Sequence, residues 1–114
     1  MSEELVQELK NRWYWLQDYI KDNYDAGSLS EEAYFAVERA CWELKEKTLQ
    51  LMENPQIRGI EFDFWVSTFQ RVYEKLAELY IVGIIDHSRH VGIVTRIWNI
   101  QSTVWKIAGK EAVV

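Results

Sequence analysis

The chain is predicted to be all-α, a four-helix bundle made of two similar helical hairpins. Three observations carry that expectation. Apolar residues recur at steps of three and four in segments at about 3–24, 31–53, 62–81 and 87–108, the period of one helix face. Turn and cap chemistry separates the segments. The second half also follows the first at an offset of 56 residues: Tyr24, Gly27 and Trp42 meet identical residues at Tyr80, Gly83 and Trp98, while Ser30 meets Asp86. Val37, Leu44 and Leu51 fall on Ile93, Ile100 and Ile107, and Leu9, Trp13, Leu16 and Ile20 fall on Trp65, Phe69, Val72 and Leu76. Each hairpin alone exposes an apolar face, and packing the two together buries both.

The first helix is expected to start at Ser2 as N-cap, with Glu3 and Glu4 in a first turn where the helix dipole favours negative charge. Its core stripe is Leu5, Leu9, Trp13, Leu16, Ile20 and Tyr24. Trp15 and Tyr19 stand four apart on its flank beside Glu8 and Arg12, the composition of a binding hot spot. Asp25, Ala26 and Gly27 end it, glycine supplying a left-handed cap.

Ser30, Glu31 and Glu32 open the second helix. Tyr34, Val37, Cys41, Leu44, Thr48 and Leu51 form its inner stripe, and Phe35, Trp42, Leu49 and Met52 a second one. Asn54-Pro55 stops it, because a residue before proline is pushed out of the helical region. Hairpin 1 is thus 1–54, the linker 55–61 and hairpin 2 62–110, within one domain of 114 residues. Phe62, Trp65, Phe69, Val72, Leu76 and Leu79 mark the third helix.

The fourth helix opens at Asp86 and carries His90, Ile93, Ile97, Ile100, Val104 and Ile107, with Val91, Val94, Trp98, Trp105 and Ala108 beside them. At ~100° per residue the two series span an apolar arc of roughly 200°, more than one neighbouring hairpin covers. Its many β-branched residues lower helix propensity, which leaves a β-hairpin through 80–98 as the alternative. The helical period and the absence of an Asn-Gly or Asp-Gly turn favour the helix.

Charge is distributed unevenly. The net charge is −5, yet residues 87–110 hold Arg89, Arg96, Lys106 and Lys110 and no carboxylate, leaving nine basic against eighteen acidic residues elsewhere. Four cations on an acidic chain neutralise few phosphates, so nucleic acid is not an expected partner. Arg89, Arg96 and Lys106 are instead candidate contacts for an acidic partner. No basic, apolar leader opens the chain, and the longest apolar run, residues 80–85, is far short of the ~20 residues of a membrane span. A cytoplasmic protein is expected. The lone Cys41 fits a reducing compartment and excludes an intrachain disulfide.

Catalytic chemistry is sparse. His87 and His90 stand three apart beside Asp86, a spacing that can share a metal. Neither has a glutamate three residues before it, as a di-iron bundle requires, and no phosphate loop, zinc-protease motif or nucleophile elbow is present. No catalytic, metal or cofactor residue is expected. The chain reads as a non-catalytic interaction module that self-associates, a dimer first, through Trp15, Tyr19, Phe35, Trp42, Val94, Trp98 and Trp105. Two alternatives accompany this: an acidic inhibitor or regulator of a basic nucleic-acid-binding protein, and a bundle holding a small apolar ligand.

Overall fold

Five helices, rather than the four expected, make up the computed structural model, which describes residues 3–110. They are α1 (Glu3–Asp25), α2 (Glu31–Ala40), α3 (Trp42–Glu53), α4 (Gly59–Ile81) and α5 (His87–Ile107). The described residues contain no strand, and residues 80–98 form a helix end, a turn and a helix. Burial of Ile93, Ile97, Ile100, Val104 and Ile107 along one side of α5 outweighs the modest propensity cost of their branched side chains. The expected cap Ser2 lies outside the described residues.

The extra helix comes from a bend at Cys41, where φ −96° and ψ 2° interrupt the regular helix. Hydrogen bonding runs through it: the Cys41 N–H donates to Val37 O at 3.0 Å, and Cys41 O accepts from the Lys45 N–H at 2.9 Å. The apolar spacing also continues across the bend, so periodicity alone reads one helix where there are two. A second correction concerns the linker. α4 begins at Gly59, three residues before the expected start, and the Arg58 N–H donates to the Glu61 carboxylate at 3.4 Å. That reach back stabilises a first turn that Gly59 by itself would weaken.

The two turns between paired helices match bond for bond. Gly27 and Gly83 take φ +80° and +82°, the left-handed region that favours glycine. Ser28 and Ile84 donate to Asn23 O and Leu79 O at 2.8 and 2.9 Å, and Leu29 and Ile85 donate to the same two carbonyls at 3.1 and 3.3 Å. The Ser30 hydroxyl caps α2 by accepting from the Ala33 N–H at 3.0 Å, as the Asp86 carboxylate caps α5 by accepting from the Arg89 N–H at 2.7 Å. Tyr24 stacks on Tyr34 with centroids 4.5 Å apart, and Tyr80 stacks on His90 at 5.0 Å.

α1 lies longest against α5 and also touches α2 and α3; α4 lies against α2, α3 and α5. α1 does not neighbour α4, and α5 neighbours neither α2 nor α3. The core between them draws on every helix, with Leu9 and Leu16, Val37, Leu44, Phe69 and Leu76, and Ile93 and Ile100 all buried. No helix of the described residues is long and apolar enough to cross a membrane.

Candidate interaction surface

The outer face of α5 is formed by Ser88, Val91, Thr95, Trp98 and Ser102, all exposed and none charged. Trp98 is 66 % exposed and Val91 47 %. The other helices show solvent the usual charged residues: Lys10, Asp18 and Lys21 on α1, Glu31, Arg39 and Glu46 on α2 and α3, and Asp63, Glu74 and Lys75 on α4.

The cations of α5 are directed elsewhere, toward α1. The Arg96 guanidinium lies between two rings, 4.2 Å from the Trp15 centroid and 3.8 Å from that of Tyr19, and donates to Gly92 O at 2.9 Å. Arg89 donates to Asn23 Oδ1 at 2.8 Å and pairs with Asp86 at 3.3 Å. Lys106 reaches Glu8 at 3.3 Å. Arg89, Arg96 and Lys106, the candidate contacts for an acidic partner, thus each have a partner within the chain. Tyr19 is half-buried by this arrangement, and a β-carbon at Gly92 would overlap its ring. The arginine beside Trp15 and Tyr19 is Arg96 of α5. The neighbour suggested by local spacing, Arg12, donates across to Asn99 O and Thr103 Oγ1, both at 2.8 Å.

Of the other interface candidates, Phe35 and Trp42 are exposed on the outside of α2 and α3, at 54 % and 55 %, with Leu49 in line with them. The Lys45 ammonium sits 5.4 Å from the Trp42 ring. Val94 and Trp105 are half-buried. Trp105 packs edge-on against Phe62 and Phe69, with centroids 4.9 and 5.5 Å away, so it serves the α4–α5 contact.

His90 is half-buried against Tyr80. Burial, with the neighbouring His87 as a smaller cause, holds it below the usual imidazole range. Among the described residues no group of three or more His, Cys, Asp or Glu is placed to hold a metal ion. Burial, with a lesser push from Glu38, raises the Cys41 thiol to about 12, which leaves it protonated and unreactive at neutral pH. A cavity of about 320 Å³ opens between the end of α3, the linker and the start of α4, lined by Lys47, Gln50, Asn54, Gln56, Phe64 and Trp65. The Lys47 ammonium lies over both rings there, 6.0 Å from Phe64 and 5.7 Å from Trp65.

Sequence periodicity places the α5 face, because Val91 and Trp98 fall outside the core series. Its lack of charge was visible only as an uneven distribution along the chain. The turning of the basic residues toward α1 depends on tertiary packing, and the one local sign of it was a glycine in mid-helix at Gly92. No protein-family model, no curated protein and no solved structure matches this chain.

Proposed function

We propose that this chain is a non-catalytic interaction module, a bundle of two like hairpins in which α2 and α3 together make one bent arm of four, that self-associates through the outer face of α5. The observation that carries this is the uncharged exposed strip of Ser88, Val91, Thr95, Trp98 and Ser102 along α5, with its tryptophan 66 % exposed. Interface centres are depleted of charge and enriched in aromatic residues, and a tryptophan is the side chain that most often dominates binding energy. A tryptophan carries ~150–250 Å² of surface. Covering the part of Trp98 left in water is worth on the order of 3 kcal/mol at ~25 cal/mol per Å², before the entropy cost of association. A second copy suits the strip because it brings no charge to be stripped of water.

Sedimentation velocity at two protein concentrations tests this. The wild-type chain is expected to associate as concentration rises, and Trp98→Asp to stay monomeric with unchanged helical circular dichroism. A wild type that stays monomeric into the high micromolar range, or a Trp98→Asp variant that assembles as before, would refute the proposal.

A further inference from the structure

We infer that the cavity between α3, the linker and α4 binds a small aromatic carboxylate, its anion at the Lys47 ammonium and its ring on Phe64. The site is independent of the α5 face and of self-association. The internal repeat points to it. At the offset of 56 residues, Phe64, Lys47 and Gln50 stand where Glu8, Thr103 and Lys106 stand in the α1–α5 seam. There the Glu8 carboxylate accepts from the Thr103 hydroxyl at 2.8 Å and pairs with Lys106 at 3.3 Å. The α3–α4 seam keeps a cation, Lys47, about one turn from the equivalent position, but has a phenyl ring in place of the carboxylate. The result is a cation without its anion beside an open space of about 320 Å³, at the small end of the ~300–1,000 Å³ of ligand sites.

Lys47 forms no ion pair among the described residues. Of the carboxylates nearby, Glu43 is held by Arg71 at 2.6 Å and by the Thr68 hydroxyl at 3.0 Å, and Glu61, on the cavity wall, accepts from the Arg58 N–H at 3.4 Å. The Phe64 and Trp65 rings, 6.0 and 5.7 Å from the ammonium, attract its charge only weakly at so open a site and leave its N–H donors for a charged acceptor. The side-chain amides of Gln50, Asn54 and Gln56 line the same space and make no hydrogen bond among the described residues, so they are free to donate to a carboxylate oxygen that Lys47 does not reach. Trp65 is buried and forms a fixed wall, whereas Phe64 is 57 % exposed and offers its ring to a flat apolar body by offset stacking. One cation, neutral amides and an aromatic wall select a single negative charge on a planar frame. A phosphate would bring up to two charges to one lysine with Glu61 close by.

The probe is benzoate, titrated into the full chain and followed by heteronuclear NMR at the Trp65 indole N–H and the side-chain amides of Gln50, Asn54 and Gln56. Benzoate is expected to bind with a Kd on the order of 1 mM, the range of a very small ligand with one charge, and to shift those groups ahead of the other tryptophans. Benzamide, which keeps the ring without the charge, and acetate, which keeps the charge without the ring, are each expected to bind about tenfold more weakly or worse. Lys47→Gln is expected to weaken benzoate about tenfold and Lys47→Arg to retain it, both variants being checked for native helical content. Benzoate that shifts no cavity group at several times the expected Kd, or that shifts all six tryptophans alike, overturns the inference. Benzamide or acetate binding as tightly as benzoate also overturns it, as does a folded Lys47→Gln variant that binds benzoate as the wild type does.

Discussion

Arg96 is held by flat surfaces. Its guanidinium stacks between Trp15 and Tyr19, and a planar, weakly hydrated cation lies flat against two aromatic faces more readily than a compact ammonium does. Tyr19 reaches that position because Gly92 has no side chain. In an exposed helix interior, Gly→Ala is stabilising by about 1 kcal/mol. Here the added methyl displaces the Tyr19 ring and loosens the stack on Arg96, an overpacking cost of roughly 1–3 kcal/mol. Gly92→Ala is therefore expected to destabilise the protein by about 1 kcal/mol net in urea denaturation, and to become stabilising in a Tyr19→Ala background. A stabilised Gly92→Ala in the native background would mean that the ring is not seated on the helix. The site was partly legible in sequence: Trp15 and Tyr19 announce themselves by composition, but their cation comes from 77 residues or more along the chain, beyond any local spacing rule.

The starts of α2 and α5 were the most legible, because a side-chain cap is local chemistry. Ser30 and Asp86 both accept the N–H three residues on, and removing such a cap costs about 1 kcal/mol. Ser30→Ala and Asp86→Ala are each expected to lose about that much in chemical denaturation, and the double variant to lose the sum, since the two caps share no partner. A marked departure from additivity would show that the two turns are energetically joined. The bend at Cys41 was hidden because Val37, Cys41 and Leu44 keep one apolar stripe across it, and the α4 start was hidden because Gly59 reads as a breaker unless the reach of Glu61 is known. The four expected segments thus sit where periodicity places them, and the misses fall at their interruptions and ends. Local bonds decide those positions.

Two polar clasps join the hairpins. On one side Glu8 of α1 accepts from Thr103 of α5 at 2.8 Å and pairs with Lys106 at 3.3 Å; on the other, Glu43 of α3 accepts from Thr68 of α4 at 3.0 Å and pairs with Arg71 at 2.6 Å. At the repeat offset the pair Arg12 and Asn99 maps onto Thr68 and Glu43, so the clasps occupy equivalent seams. The Arg71 hydrogen bond holds Glu43 below its usual range, despite burial. At Glu8 burial pushes upward, and the Thr103 bond with the Arg12 and Lys106 charges outweighs it. A carboxylate lowered in the fold contributes stability above its unfolded value, ~4.3, and loses it as pH falls through the folded value. His90 is also lowered, so the fold favours its neutral form and that contribution fades as pH falls below ~6.5. Stability is therefore expected to decline in two stages on acidification, first below about pH 6.5 and then below about 4.3. His90→Tyr, which copies the Tyr34 stack on Tyr24 in the other hairpin, removes the first stage. Glu8→Gln with Glu43→Gln lowers neutral-pH stability and flattens the second. Urea midpoints measured from pH 7.5 to 3 decide the matter: a wild-type profile flat to pH 5, or an acid limb unchanged in the double glutamine variant, rules out this linkage. Because both clasps cross between the hairpins, the second stage falls on the contact between them, whereas the first falls on the Tyr80–His90 stack within the second hairpin.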